Sequence, residues 1–126
     1  MSTEQFDILI IGAGISGIGV ACRLAQRFPD RRIAILERRM AVGGTWDLFR
    51  YPGIRSDSDM FSYAYDLRPS LKPEILASGG EILSYLDATI DEFGIRDRIR
   101  FGHRVETADW RSEDGAWHVR AVEETS

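Results

Sequence analysis

Cysteine is nearly absent from this 126-residue chain: Cys22 stands alone, which excludes an internal disulfide and any cysteine-rich metal site. Histidine is scarce as well, and His103 and His118 are too isolated to suggest a metal centre. No apolar run approaches the ~20 residues of a membrane span. The opening Met-Ser-Thr-Glu-Gln has neither the basic stretch nor the long apolar region of a secretory signal. A reducing, cytoplasmic setting is therefore expected. Positive charge is not in excess: the net charge is −4 with Lys and Arg scattered, so neither nucleic acid nor an anionic membrane is an expected partner. There is no internal repeat or low-complexity tract. No serine combines a sharp elbow with a neighbouring histidine, which argues against a nucleophilic triad.

What is present is the run Ile10-Ile11-Gly12-Ala13-Gly14-Ile15-Ser16-Gly17, with Glu37 twenty residues after Gly17. Phe6–Ile11 reads as a short buried strand. Ile15–Phe28 reads as a helix whose Ile18, Ala21, Cys22, Ala25 and Phe28 share one face, so Cys22 is expected as a small buried hydrophobe. Ile33–Leu36 forms a second strand that ends at Glu37. Strand, glycines, helix, strand and acid in register are the fingerprint of a dinucleotide site. Gly12 allows the turn, Gly14 lets backbone approach a pyrophosphate, and Gly17 lets helix pack on strand. The helix N-terminus offers N–H groups and a positive dipole end to the phosphates, and Glu37 offers a carboxylate to ribose hydroxyls. The alternative is a β-α turn that needs its glycines only for packing. The pattern does not choose between NAD and FAD. Arg31-Arg32 and Arg38-Arg39 read as a solvated rim, with Arg38 toward the adenosine end.

Residues 38–73 form a long segment rich in Gly, Pro, Asp, Ser and aromatics, and an irregular stretch of that length is usually functional. A helix is expected from Gly80 to Phe93, burying Ile82, Leu83, Leu86, Ile90 and Phe93, with Gly94 as its C-terminal stop. Ile99–Phe101 reads as a third strand. Val105–Trp110 and Ala116–Val122 read as a hairpin around Ser112-Glu113-Asp114-Gly115, because Asp-Gly suits a turn with positive φ. In its second strand Trp117, Val119 and Ala121 share one face, and His118 and Arg120 the other.

After Glu37 the chain departs from a nicotinamide dehydrogenase, where the second strand leads into another helical crossover. Here Gly43-Gly44-Thr45-Trp46 and Arg50-Tyr51-Pro52-Gly53 precede Asp57. Together these motifs resemble the flavin-dependent Baeyer–Villiger monooxygenases, most closely their ethionamide-activating branch, and the likeness runs from Asp7 to the hairpin. The resemblance implies an α/β fold: an incomplete, Rossmann-like FAD-binding domain of the two-dinucleotide-binding type, with parallel strands and a C-terminal β-hairpin. It implies FAD and NADPH as cofactors. The implied reaction is oxygenation of a small organic carbonyl or sulfur substrate by O2, through a flavin C4a-peroxide. Carried over by motif, Gly12, Gly14, Ser16 and Gly17 would hold the pyrophosphate, and Glu37 the adenosine ribose. Gly44, Thr45, Trp46, Asp47 and Leu48 would bind FAD, with Thr45 and Trp46 along its flavin side. Val105 would meet adenine through its backbone. Asp57 matches the catalytic aspartate beside the flavin, and Arg55-Ser56-Asp57 a loop that meets the nicotinamide cofactor. Tyr63 would pack near the flavin. Without the joint motif, Trp46, Tyr51 and Phe61 would read as core aromatics under a loop, and Arg55–Asp57 as a local ion pair.

The family's second GxGxxG, its FxGxxxHxxxW fingerprint and the arginine partner of Asp57 do not occur among these residues. Residues 1–126 are therefore expected to be the N-terminal FAD-binding domain of a longer monooxygenase, from a truncated or split gene, inactive alone. A separately encoded remainder would be its partner. The rivals are a non-catalytic nucleotide-binding module, one half of a split flavin enzyme, or an N-oxygenating flavin-containing monooxygenase. The last is disfavoured by Tyr51-Pro52-Gly53 with Asp57. A disulfide reductase is disfavoured because no Cys-x-x-x-x-Cys pair follows Glu37.

Overall fold

A computed structural model describes residues 3–48, 55–59 and 76–124. In chain order the elements are β1 (Ile8–Ile11), α1 (Ile15–Arg27), β2 (Ile33–Glu37), α2 (Thr45–Leu48), β3 (Arg55–Asp59), β4 (Leu76–Ser78), α3 (Gly79–Phe93), a 3-10 turn (Arg96–Arg98), β5 (Ile99–Phe101), β6 (His103–Arg111) and β7 (Ala116–Glu123).

The α/β expectation holds. β1 and β5 both run parallel to β2, giving the order β1-β2-β5, with Ile8 opposite Ile33 and Ile35 opposite Ile99. All five residues of β2 are buried, as a central parallel strand covered on both faces requires. β1 was expected to be buried, but it is only half-buried and Ile11 is 59% exposed, because β1 lies at an edge of the described sheet. Phe6, also assigned to that strand, precedes it and lies under the guanidinium groups of Arg32 and Arg100.

α1 buries Ile18, Ala21 and Cys22. Phe28 does not continue that face. It ends the helix by donating its N–H to the Leu24 carbonyl, and its ring is exposed. α3 packs against α1 through Ile82, Leu86 and Ile90, which join Ile18, Cys22, Ile35 and Ile95 in one core. The start of α3 is set by a capping box. The Ser78 hydroxyl accepts from the Glu81 N–H, and the Glu81 carboxylate accepts from the Ser78 N–H. At its other end the Gly94 N–H reaches the carbonyls of Asp91 and Ile90.

Two strands fall where no strand was expected. β3 lies inside the supposedly irregular 38–73 segment and pairs antiparallel with β4, Arg55 opposite Ser78 and Asp59 opposite Leu76. Neither shows the apolar alternation by which strands are recognised, so the pairing comes from backbone hydrogen bonding brought together by the fold. The expected hairpin is present as β6–β7, with Trp110 opposite Trp117 and their rings edge-to-face at 5.6 Å.

Candidate functional site

The glycine run joins β1 to α1 as a tight turn. Gly12 has φ 102, a region that disfavours a side chain, and its N–H continues the β1–β2 ladder to the Leu36 carbonyl at 2.8 Å. Gly17 is pressed onto that turn, so a Cβ there would run into the Gly12 carbonyl. Gly14 caps α1 at its N-terminus, no side chain caps the helix, and the first turn carries no acidic residue. Ser16 is exposed in that turn. The first turn of this 13-residue helix therefore supplies no carboxylate of its own to the positive end.

Glu37 does not end β2 as a free acceptor. Its side chain turns back beneath the glycine turn, where Oε1 accepts from the Ala13 N–H and Oε2 from the Arg39 N–H, each at 2.9 Å. A carboxylate offers about four lone-pair directions, so each oxygen keeps acceptor capacity beyond these two bonds.

The Gly43–Leu48 segment lies against the same turn. The Gly43 N–H donates to the Ala13 carbonyl at 2.9 Å. Gly43 and Gly44 have φ 119 and 53, and a Cβ on Gly44 would stand 3.2 Å from the Gly14 Cα. The close backbone approach expected at Gly14 toward a ligand is made here toward Gly44. α2 follows, with the Asp47 and Leu48 N–H groups donating to the Gly44 carbonyl.

The basic rim is not uniformly solvated. Arg39 Nη1 stands 2.5 Å from Asp47 Oδ2, and the Asp47 side chain is only 6% exposed. Arg39 Nη1 is itself buried and outside hydrogen-bond alignment, so charge rather than directed bonding holds this pair. Arg38 remains exposed and stands 3.6 Å from Glu124, which also takes Arg104 at 2.5 Å. Arg104 holds the Glu124 carboxyl below the usual carboxylate range. Gly102 links this corner to the hairpin, donating to the Arg39 carbonyl and accepting from the Glu124 N–H. Ala13 and Gly102 were not singled out from sequence, and Arg39 was read only as part of a solvated rim. Their roles depend on backbone atoms meeting across the fold, and only the proximity of Arg39 to Glu37 hinted at them.

Gly12, Gly14, Ser16, Gly17, Glu37, Gly44, Asp47 and Leu48 therefore gather at the ends of β1 and β2, while Val105 is half-buried on β6, opposite Ala121. Thr45 and Trp46 lie in α2, and Arg55, Ser56 and Asp57 in β3, with their side chains outside the described residues. The expectations for Tyr51, Phe61 and Tyr63 lie outside them too. A pocket of about 470 Å³ bordered by Met40, Val42, Asp47, Leu83 and Phe101 includes none of the fingerprint glycines. Among the described residues, no helix is long and apolar enough to cross a membrane.

A parallel sheet, a glycine turn feeding a helix N-terminus and an acid at the end of the second strand define a Rossmann-like dinucleotide-binding domain. A family model described as an NAD(P)-binding Rossmann-like domain matches residues 10–71. MymA of Mycobacterium tuberculosis, named as an FAD-containing monooxygenase, is 52% identical over 123 residues, covering 98% of this chain and 25% of the relative. The FAD-containing monooxygenase EthA of Mycobacterium tuberculosis is 49% identical over 117 residues, covering 93% of this chain and 24% of EthA. The structure of an oxidized steroid monooxygenase bound to NADP superposes with a TM-score of 0.83 at 35% identity, covering 92% of this chain and 23% of that one. Over nearly its whole length the chain is similar to FAD-containing monooxygenases, with Baeyer–Villiger monooxygenases as its structural neighbours. It spans about a quarter of the length of the curated relatives it matches.

Proposed function

We propose that residues 1–126 are the FAD-binding domain of an NADPH-dependent flavin monooxygenase that oxygenates a small carbonyl or sulfur compound. The observation that supports this reading is the N-terminus of α1, which no side chain caps, beside the Glu37 carboxylate anchored on the Ala13 N–H. The residues present fit the cofactor. The backbone around Gly14, Ser16 and Gly17 would hold the pyrophosphate against the helix dipole, and Glu37 would accept from the adenosine ribose. The paired glycines permit the close approach of backbone that a flat ring system needs, and they carry Thr45 and Trp46 toward it. Val105 would border the adenine. Bound FAD would supply the redox chemistry with O2, while the chain orients it and leaves Asp57 to position partners beside it. NADPH would bind mainly through a second dinucleotide domain, so turnover belongs to the longer protein.

The test is a titration of the purified chain with FAD, followed by visible absorbance and flavin fluorescence. A shifted flavin band with altered emission is expected. A chain whose addition leaves the FAD spectrum unchanged at high concentration would overturn FAD binding by these residues. In a full-length setting, Asp57→Ala is expected to retain FAD and lose most oxygenation; normal turnover there removes the proposed role.

A further inference from the structure

We infer that Arg39 and Asp47 are positioning residues, whose ion pair closes a ring of contacts that fixes the Gly43–Leu48 segment onto the glycine turn before any cofactor arrives. The inference deepens the FAD-binding reading and rests on it for its functional meaning.

The ring can be followed atom by atom. Glu37 Oε1 accepts from the Ala13 N–H, and the Ala13 carbonyl accepts from the Gly43 N–H, both at 2.9 Å. From Gly43 the chain enters α2, where the Asp47 N–H donates to the Gly44 carbonyl at 3.1 Å. The Asp47 carboxylate meets Arg39 Nη1 at 2.5 Å, and the Arg39 N–H returns to Glu37 Oε2 at 2.9 Å. One carboxylate, at the ribose end of the proposed site, thus anchors both branches of a loop that reaches the segment assigned to the flavin end.

Two features make Arg39 and Asp47 the decisive link. α2 has only four residues, too few to hold a helical shape without tertiary support. The Asp47 carboxylate is almost fully removed from solvent, so the loss of Arg39 takes a cation at 2.5 Å away from a buried charge. Gly43 and Gly44 themselves bring no side chains to the contact, so the backbone bond to Ala13 and the ion pair supply polar links that hold the segment in place. Asp47 was carried over as a cofactor-binding residue; in this inference it serves that binding through the segment it holds.

Amide hydrogen exchange of the cofactor-free chain reads the ring directly. Asp47→Asn removes the charge while keeping the shape, and Arg39→Gln removes the other partner. In each, the Gly43 amide is expected to exchange about tenfold faster, with no further increase in the double variant, because both changes break one link. Protection of Leu86 and Ile90 in α3 shows in the same spectra that the variants remain folded. Arg39→Lys keeps the charge and should restore most of the Gly43 protection. Unchanged Gly43 exchange, or single effects that simply multiply in the double variant, overturns the inference. FAD titration of the same variants should show affinity lowered about tenfold. If affinity falls while Gly43 exchange stays at the wild-type rate, Asp47 touches the cofactor itself and the positioning role is wrong. A wild-type chain that ignores FAD defeats the FAD-binding reading alone, since the exchange data still decide whether the ring holds.

Discussion

Gly14 and Gly17 belong to one turn, yet the same added methyl has opposite consequences at the two. At Gly17 it runs into the Gly12 carbonyl, a backbone atom that cannot swing away. Gly17→Ala is therefore expected to destabilise the fold by about 1–3 kcal/mol or more, read as a lower thermal midpoint. At Gly14 the nearest atom to a new Cβ is the Gly44 Cα at 3.7 Å, an ordinary contact. Gly14→Ala should keep the wild-type midpoint and weaken FAD binding, because the methyl enters the space proposed for the pyrophosphate. Unchanged FAD affinity in Gly14→Ala would count against the fingerprint reading. The spacing of these glycines was legible in the chain, and so was the acid that follows. Which glycine would clash with backbone and which leaves room for a methyl was not, since that depends on Gly12 and Gly44 meeting them in space. Cys22 is a further case at this scale. Burial pushes its thiol up from the ordinary 9.0 to about 11. The fold favours the neutral thiol, so the stability it contributes is complete below pH 9.0 and is lost as the pH rises toward about 11. Across that window the wild-type midpoint should fall more steeply than that of Cys22→Ala, and parallel curves would show that burial does not hold the proton.

At the scale of elements, legibility followed periodicity. α1 and α3 carry apolar residues at helical spacing, and Asp114-Gly115 marks the β6–β7 turn, so these were readable within a residue or two at most ends. β3 was not. Arg55-Ser56-Asp57-Ser58-Asp59 contains no apolar residue, and what makes it a strand is β4, 23 residues away by the Arg55–Ser78 pairing and 17 by Asp59–Leu76. The boundary of α3 was also set one residue late, although Ser78-Gly79-Gly80-Glu81 is itself a readable capping box. Its two reciprocal bonds satisfy backbone donors that the first turn would otherwise leave open, and they also fix where β4 hands over to the helix. Ser78→Ala should cost about 0.5–2 kcal/mol in denaturant unfolding. A null effect would mean that packing of Ile82 and Leu86 alone sets the start of α3.

For the whole molecule, what matters is that the sheet is built from strands far apart in sequence. Ile8 pairs with Ile33 and Ile35 with Ile99, so strand order could be expected from the family resemblance but not read from any local pattern. The observed order leaves β1 with one described neighbour, and the same side of the molecule exposes Ile11 at 59%. A parallel strand with no second neighbour among the described residues and an exposed isoleucine is a template for pairing with another chain. The 126-residue chain is therefore expected to self-associate as its concentration rises, which sedimentation velocity would follow. Ile11→Lys places a charge at that edge without touching the buried residues of β2, so it should shift the distribution toward monomer at equal concentration. The substitution leaves the Gly12 N–H bond to Leu36 in place, and the turn that follows β1 should keep its shape. If Ile11→Lys associates as strongly as wild type, the contact lies elsewhere, and the exposed Trp110–Trp117 pair on the hairpin becomes the surface to change next.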